Sequence, residues 1–451
     1  MTQFKQSRLE ATMPFVITAC VSLLCAFHSL AARADDAMPA NEQWAVHGQL
    51  TNITQWHPQF RSPYSGPNSL ESNGRTEETT DLTLFAGLRL WRGAELWVNT
   101  EIDQGFGLSN TLGVAGFPSG EAYKVGANTP YLRVPRVFIR QVIPLGGAEQ
   151  QVESAANQLT GVRSADNVTL TVGKFSVVDI FDTNSYAHDP RADFMNWSAI
   201  DGGAFDYAAD PWGYTYGAAA EWSQDWWTLR GGLFQLSGAP NAKITRVDFK
   251  QRSLVGEIEA RHQWQGHPGK VKLLAFVNRA QMARYADAVE LARGTGATPD
   301  VSLVRHDRSR AGFVLNLEQE LTSDLGAFAR VSARDGSKET YEFTEIDRSL
   351  SAGLSLKGDR WGRRDDVLGV AMVVNALSGA AQEYFAAGGL GLLIGDGKLN
   401  YAPEKIMEMY YSLRLDSHLA LSFDYQHIAN PAYNRDRGPV SIYGVRLHAE
   451  F

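Results

Sequence analysis

DLTLFAGLRLW, residues 81–91, decides how this chain folds. Leu82, Leu84, Ala86, Leu88 and Leu90 fall on one parity, and Asp81, Thr83, Gly87 and Arg89 on the other. A helix would mix the two sets, whereas a strand, whose side chains alternate faces, keeps them apart. Arg92-Gly93 follows as a turn signal. AELWVNTEI (94–102) then resumes the alternation, with Leu96, Val98 and Ile102 opposed to Glu95, Trp97, Asn99 and Glu101.

The same period runs along the chain. Ile258 and Ala260 oppose Glu257, Glu259 and Arg261; Phe313, Leu315 and Leu317 oppose Asn316, Glu318 and Glu320; Ala329 and Val331 oppose Arg330 and Ser332. Sixteen segments read this way: 44–56, 79–91, 94–104, 131–143, 166–176, 212–222, 226–236, 252–264, 270–279, 309–321, 325–335, 345–357, 366–377, 404–415, 418–428 and 440–451. Each is near the ~9–11 residues that a tilted strand needs to cross a bilayer.

The connections sort by parity. Gaps at 57–78, 105–130, 177–211, 237–251, 280–308, 336–344, 378–403 and 429–439 are mostly long. Between them lie the tight turns 92–93, 223–225, 265–269, 322–324, 358–365 and 416–417. A transmembrane antiparallel barrel has short periplasmic turns and long extracellular loops, and a soluble sandwich has no reason to sort its loops. Only 144–165 departs from the pattern, and its AEQQVESAANQL reads as a short helical insert. That irregularity keeps eighteen strands open beside sixteen. Trp91, Trp222, Trp226, Trp227, Trp264 and Trp361 gather at the short-turn ends, as an interfacial aromatic girdle requires.

Bulk properties narrow the class. Lys5 and Arg8, an apolar run from Met13 to Leu30 and Ala32-Arg33-Ala34 form a secretory leader, so residues 1–34 are expected to be cleaved and 35–451 to be the barrel. A lipoprotein signal ending at Cys20 competes, but the apolar stretch before it is short. Cys20 and Cys25 both lie in the leader, which excludes disulfides and thiol catalysis downstream. Removing Lys5, Arg8 and Arg33 against Glu10 deepens the formal charge from −8 to −10, an acidic balance that argues against nucleic acid. The chain is expected in the outer membrane of a Gram-negative bacterium, with outer-membrane lipid around it.

GKFSVVDIFDTNSYAHDPRADFMNWS (173–198) crowds Asp179, Asp182, His188, Asp189, Arg191 and Asp193 into one window. H-E-x-x-H, G-x-S-x-G and G-x-x-x-x-G-K-[ST] are all missing from the chain, so neither catalysis, metal nor cofactor is indicated. The window is also rich in Val177, Val178, Ile180, Phe181, Phe194 and Trp197, too apolar for a solvated tail. It is expected to fold into the lumen as the third long loop. Alternation turns Glu101, Arg136, Arg140, Lys174, Glu257, Glu259 and Arg261 inward to face it. Mixed acids and bases offer donors and acceptors to hydroxyl-rich solutes, and Trp97, Phe276 and Phe328 could offer faces to sugar C–H groups.

GAELWVNTEIDQGFGLSNTLGVAGFPSGEAYKVG (93–126), residues 173–198 and NPAYNRDRGPVSIYGVRLHAEF (430–451) resemble the carbohydrate-selective, OprB-type porins over nearly the whole chain. The resemblance implies a sixteen-stranded outer-membrane barrel that passes sugars by diffusion, with loops folded inward and a constriction of Arg, Glu and aromatics. The terminal Phe451 resembles the signal that such proteins present to the barrel assembly machinery. The expected function is passive, selective diffusion of small carbohydrates such as monosaccharides. A general or polysaccharide-exporting porin is the alternative. Behind it stand a barrel hydrolase and a secreted sugar-binding β protein. Which sugar is preferred, and monomer against homotrimer, are not written in the pattern.

Overall fold

The computed structural model describes residues 42–122 and 126–451; the expected leader and cleavage site lie outside them. Sixteen strands follow one another: β1 Trp44–Gln59, β2 Asn73–Trp91, β3 Ala94–Gly105, β4 Ala127–Val152, β5 Gly161–Phe175, β6 Thr215–Gln224, β7 Trp227–Gln235 and β8 Arg252–Trp264. The second half comprises β9 His267–Met282, β10 His306–Thr322, β11 Leu325–Arg334, β12 Arg348–Gly358, β13 Arg363–Ala376, β14 Glu404–Arg414, β15 Leu419–Ala429 and β16 Val440–Glu450. Each pairs antiparallel with its neighbours, and β1 meets β16 to close the barrel, from Gln49 opposite Glu450 to Trp56 opposite Tyr443. The count is sixteen, which removes the eighteen-stranded variant.

Closure leaves no unpaired edge, and alternation sorts the side chains. Leu84, Leu88, Ile102, Leu254, Val277, Phe313 and Leu350 stand exposed on the outer wall, while Thr83, Glu101, Glu257, Asn316 and Arg330 are buried within. Trp91, Trp222, Trp226, Trp264 and Trp361 are exposed at the short-turn end, and Trp227 lies edge-on to Trp222 at 5.1 Å. At the loop end, Trp56 stacks on Tyr443 (5.2 Å), which also meets Tyr425 (5.3 Å). The barrel thus carries an amphipathic aromatic band near each headgroup level.

Inside, several aromatic rings lie flat on the wall over glycines of the neighbouring strand. A Cβ at Gly312 would come within 2.5 Å of the Phe276 ring, and one at Gly353 equally close to Phe328. Trp97 covers Gly87 in the same way.

The segment 144–165 is not helical. It prolongs β4 and β5 as a hairpin, pairing Val152 with Gly161 at its far end. Its Ala, Glu and Gln favour a helix intrinsically, but ladder pairing overrides propensity. The register slips between Pro144 and Gly146 and again before Glu149, where Gly146 and Gly147 take φ of 116° and 79°. Only glycine accepts such angles cheaply. Beyond the bend the tip turns back to the barrel. Glu42 accepts from Ser154 Oγ (2.8 Å) and Thr160 N (2.9 Å), and Arg89 donates to the Thr160 carbonyl at 3.0 Å. Arg140 donates to the Asn157 carbonyl at 2.7 Å, and Leu159 is buried in the cluster that holds Trp97.

More than one connection fills the lumen. The 176–214 loop crosses it and is bonded to the far wall. Buried Arg330 donates to the carbonyls of Asp182 (3.1 Å), Ala187 (2.8 Å) and Ala199 (2.9 Å) and to Asp182 Oδ1 (3.2 Å). Arg446 donates to the carbonyls of Pro190, Ala192 and Asp193 at 2.7–2.8 Å. The connection after β3 follows it inward: Glu404 accepts from Ala115 N (3.0 Å) and Gly116 N (2.7 Å), and Phe117 stacks on Trp197 at 4.9 Å.

Candidate functional site

With these loops inside, two cavities are lined by the charged residues of the lumen. One, of about 550 Å³, runs along the β4 wall and is lined by Glu121, Arg136, Arg140, Asp179, His188, Asp189, Arg191, Asp201, Trp212 and Tyr214, with Ala155 to Gln158 of the hairpin tip as its floor. The other, of about 940 Å³, opens among the short turns and is lined by Arg191, Asp193, Arg261, Lys270, Glu318 and Glu320. Arg191 lines both.

Two of the three arginines lining the first cavity, Arg136 and Arg191, are held by acids. Arg136 makes a fork to Asp179 at 2.8 and 2.6 Å. Arg191 lies 3.1 Å from Glu121, 3.7 Å from Asp81 and 3.9 Å from Glu101. Arg133 bonds both Glu101 and Asp103, and sits 4.9 Å from the Trp212 ring and 5.6 Å from Tyr214. Arg136 lies 4.9 Å from the same tyrosine ring. Two aromatic faces are therefore braced by guanidinium groups, a contact that strengthens when water is excluded.

Burial and pairing set the loop charges. Burial would raise the Asp179 carboxyl, but Arg136 beside it holds it below the usual range. For Glu121 burial wins over Arg191 and pushes the carboxyl up. Burial draws the His188 imidazole down, but Asp201, 3.6 Å away, outweighs it and leaves the pKa above its ordinary value. Arg136 with Asp179, Arg191 with Glu121 and His188 with Asp201 are thus compensated pairs, and Arg140 adds a cation bonded, among the described residues, only to a carbonyl.

The expected residues separate into groups. Arg136, Arg140, Asp179, Asp189 and Arg191 come together on the first cavity, and Arg191, Asp193 and Arg261 on the second. Glu101 stands behind Arg133 and Arg191. Asp182, Glu257 and Glu259 serve packing: Glu257 accepts from Asp182 N (2.8 Å), and Arg230 donates to Glu257 (2.7 Å) and Glu259 (3.1 Å). Trp97 is 0% exposed and Phe328 packs on Phe194 at 5.5 Å, so neither ring has a face open to a solute. Lys174 is corrected: it shares the outward phase of Val172, which is 57% exposed, whereas Thr171 and Phe175 point in. Its Nζ folds back to the Val134 carbonyl at 3.0 Å.

Arg133 was not foreseen, because Val134-Pro135 forms a bulge. Two steps on β3, Asn99 to Glu101, match three on β4, Arg136 to Arg133, and the inward parity changes across it. Pro135, within a run of alternating residues, was the available signal. Trp212 and Tyr214 were placed in a strand rather than at the loop's end.

A model of the "Carbohydrate-selective porin, OprB family" matches residues 67–451. A search of the curated proteins found no match. Among solved structures, the high-pH structure of Pseudomonas putida OprB is similar with a TM-score of 0.68 and 16% identity, covering 91% of this chain and 94% of that one. The outer membrane channel DcaP of Acinetobacter baumannii is similar at a TM-score of 0.52 and 10% identity, covering 93% and 100%. At such identities the structures speak for the fold, and the family match speaks for the kind of channel. A closed sixteen-stranded barrel narrowed by inward loops and lined by paired charges, matched over most of its length by that model, belongs to the OprB family of carbohydrate-selective porins.

Proposed function

We propose that small neutral sugars cross this outer-membrane channel one at a time along the β4 wall, passing Arg136 and Arg140 and then Arg191. The observation that carries the reading is the compensated pairing of Arg136 with Asp179 and Arg191 with Glu121 around a cavity of about 550 Å³. Paired guanidinium and carboxylate groups still have hydrogen-bonding capacity toward hydroxyls, and they present little net charge to attract an ion. Trp212, half-buried at the cavity edge, supplies a flat face for C–H groups. Passage is downhill diffusion.

Liposome swelling across a sugar panel tests this. Glucose and other monosaccharides should permeate several-fold faster than maltose, and gluconate more slowly than glucose. Equal rates for mono- and disaccharides would favour a general pore. The last strand supports a further partner. Phe451 exchanges backbone bonds with Gly48 at 2.8 and 2.9 Å, which supports the reading that assembly machinery contacts this strand. Monomer and homotrimer both fit the apolar outer face.

A further inference from the structure

The loop-side rim above β7 to β10 concentrates cations, of which Lys243 also lies over the Trp212 ring at 5.0 Å. Arg252 opens β8 in the outward phase of Leu254 (56% exposed), and Arg279 lies near the end of β9 in the phase of Val277 (43%). The two are direct cross-strand partners. Like charges opposite one another on one face repel. Asp307 bonds Arg279 at 2.8 and 3.3 Å and acts on Arg252 only from a longer distance. Arg252 reaches only the carbonyls of Phe249 and Lys250, both at 3.5 Å.

The 236–251 connection adds to this charge. It drapes outward over the rim: Gln235 donates to the Arg246 carbonyl and accepts from Asp248 N, each at 2.8 Å. Lys243, Arg246, Lys250 and Asp307 border a cavity of about 510 Å³ there. Asp248 is taken by Arg246 at 3.2 Å. Among the described residues, Lys243, Lys250 and Arg252 have no carboxylate in ion-pair range. Directly beneath them Leu254, Val277 and Phe313 face hydrocarbon. In a chain of net charge −8, this is a cationic shelf on top of an apolar wall.

We propose that this rim binds the phosphate groups of a phosphorylated glycolipid of the outer leaflet, with its acyl chains along Leu254, Val277 and Phe313. Guanidinium forks match phosphate oxygens, and a bound phosphate relieves the Arg252–Arg279 repulsion. The apolar wall selects a lipid over a free anion.

Native mass spectrometry of the detergent-purified channel with added diphosphoryl lipid A tests the site. The parent should retain the lipid. A Lys250→Gln, Arg252→Gln double variant should bind it about thirtyfold more weakly, as loss of two cations from such a cluster implies. Lipid A stripped of phosphate should bind the parent as weakly as the variant binds the intact lipid, and millimolar inorganic phosphate should leave the complex in place. Heat-modifiable gel migration confirms that the variant is folded. Equal retention by parent and variant overturns the proposal, as does displacement by inorganic phosphate alone. Efficient disulfide-linked dimers of Arg252→Cys in intact membranes would instead assign the shelf to a second copy of the chain, and would equally overturn it.

Discussion

Arg191 is the residue on which the lumen's charge balance turns. It faces Asp81, Glu101, Glu121 and Asp189 and is shared by both cavities. Arg191→Ala should leave those acids under-compensated, so reversal-potential measurements in a salt gradient should shift toward cation selectivity. An unchanged reversal potential would place Arg191 away from the ion path. His188 makes a second test at this scale. Its pKa is raised in the folded chain by Asp201, so the pair's stabilisation is complete below the ordinary histidine value of about 6.5 and is lost as pH rises through the higher folded value. Hydrogen exchange of amides 185–201 should accelerate from pH 6 to pH 9 in the parent beyond the intrinsic increase, and His188→Gln should remove that excess. At this scale the sequence is legible wherever parity is unbroken, as at Glu101, Arg136, Arg140, Glu257 and Arg330. It misleads at Arg133, because one bulge at Pro135 changes the phase. It also misleads at Lys174, which has the residue type of a lining cation on the wrong parity.

Elements explain why the lumen is narrow. The 176–214 loop is fixed by Arg330 on β11 and Arg446 on β16, whose donors meet loop carbonyls from two separate parts of the wall. Removing a buried, fully bonded arginine of this kind costs ~3–5 kcal/mol. Arg330→Ala should therefore release the loop, seen as enlarged and noisy single-channel conductance and protease cleavage within 176–214. Quiet parent-like channels would show that other contacts hold it. The β4–β5 hairpin tip lies beneath the same cavity, and shortening it to a tight turn between Ile143 and Val168 should raise conductance without altering heat-modifiability. The loop's inward fold was legible because its apolar content demanded burial. The hairpin was not, since Ala, Glu and Gln are helix formers and only the partner strand makes them extended. Flat aromatics on glycines were equally hidden, because cross-strand register is long-range. Gly312→Val, which drives a side chain into the Phe276 ring, should cost ~1–3 kcal/mol and lower the unfolding temperature.

For the molecule as a whole, one alternation does two things. Outward residues match the hydrocarbon and inward ones create a wet interior, which inward loops then reduce to a narrow passage lined by paired charges. Loop parity and period two were enough to recover the barrel, because both are local. The passage needed contacts between residues more than a hundred positions apart, such as Asn196 with Gln426 at 3.0 Å. The central claim is that the paired arginines handle the sugar. Single-channel current noise with added glucose measures it most directly. Parent channels should show glucose-dependent block, and an Arg136→Ala, Arg191→Ala double variant should need about tenfold more glucose or beyond for equal block, the ~1.4 kcal/mol or more of lost charge-assisted bonds. Identical block in parent and variant would contradict the account.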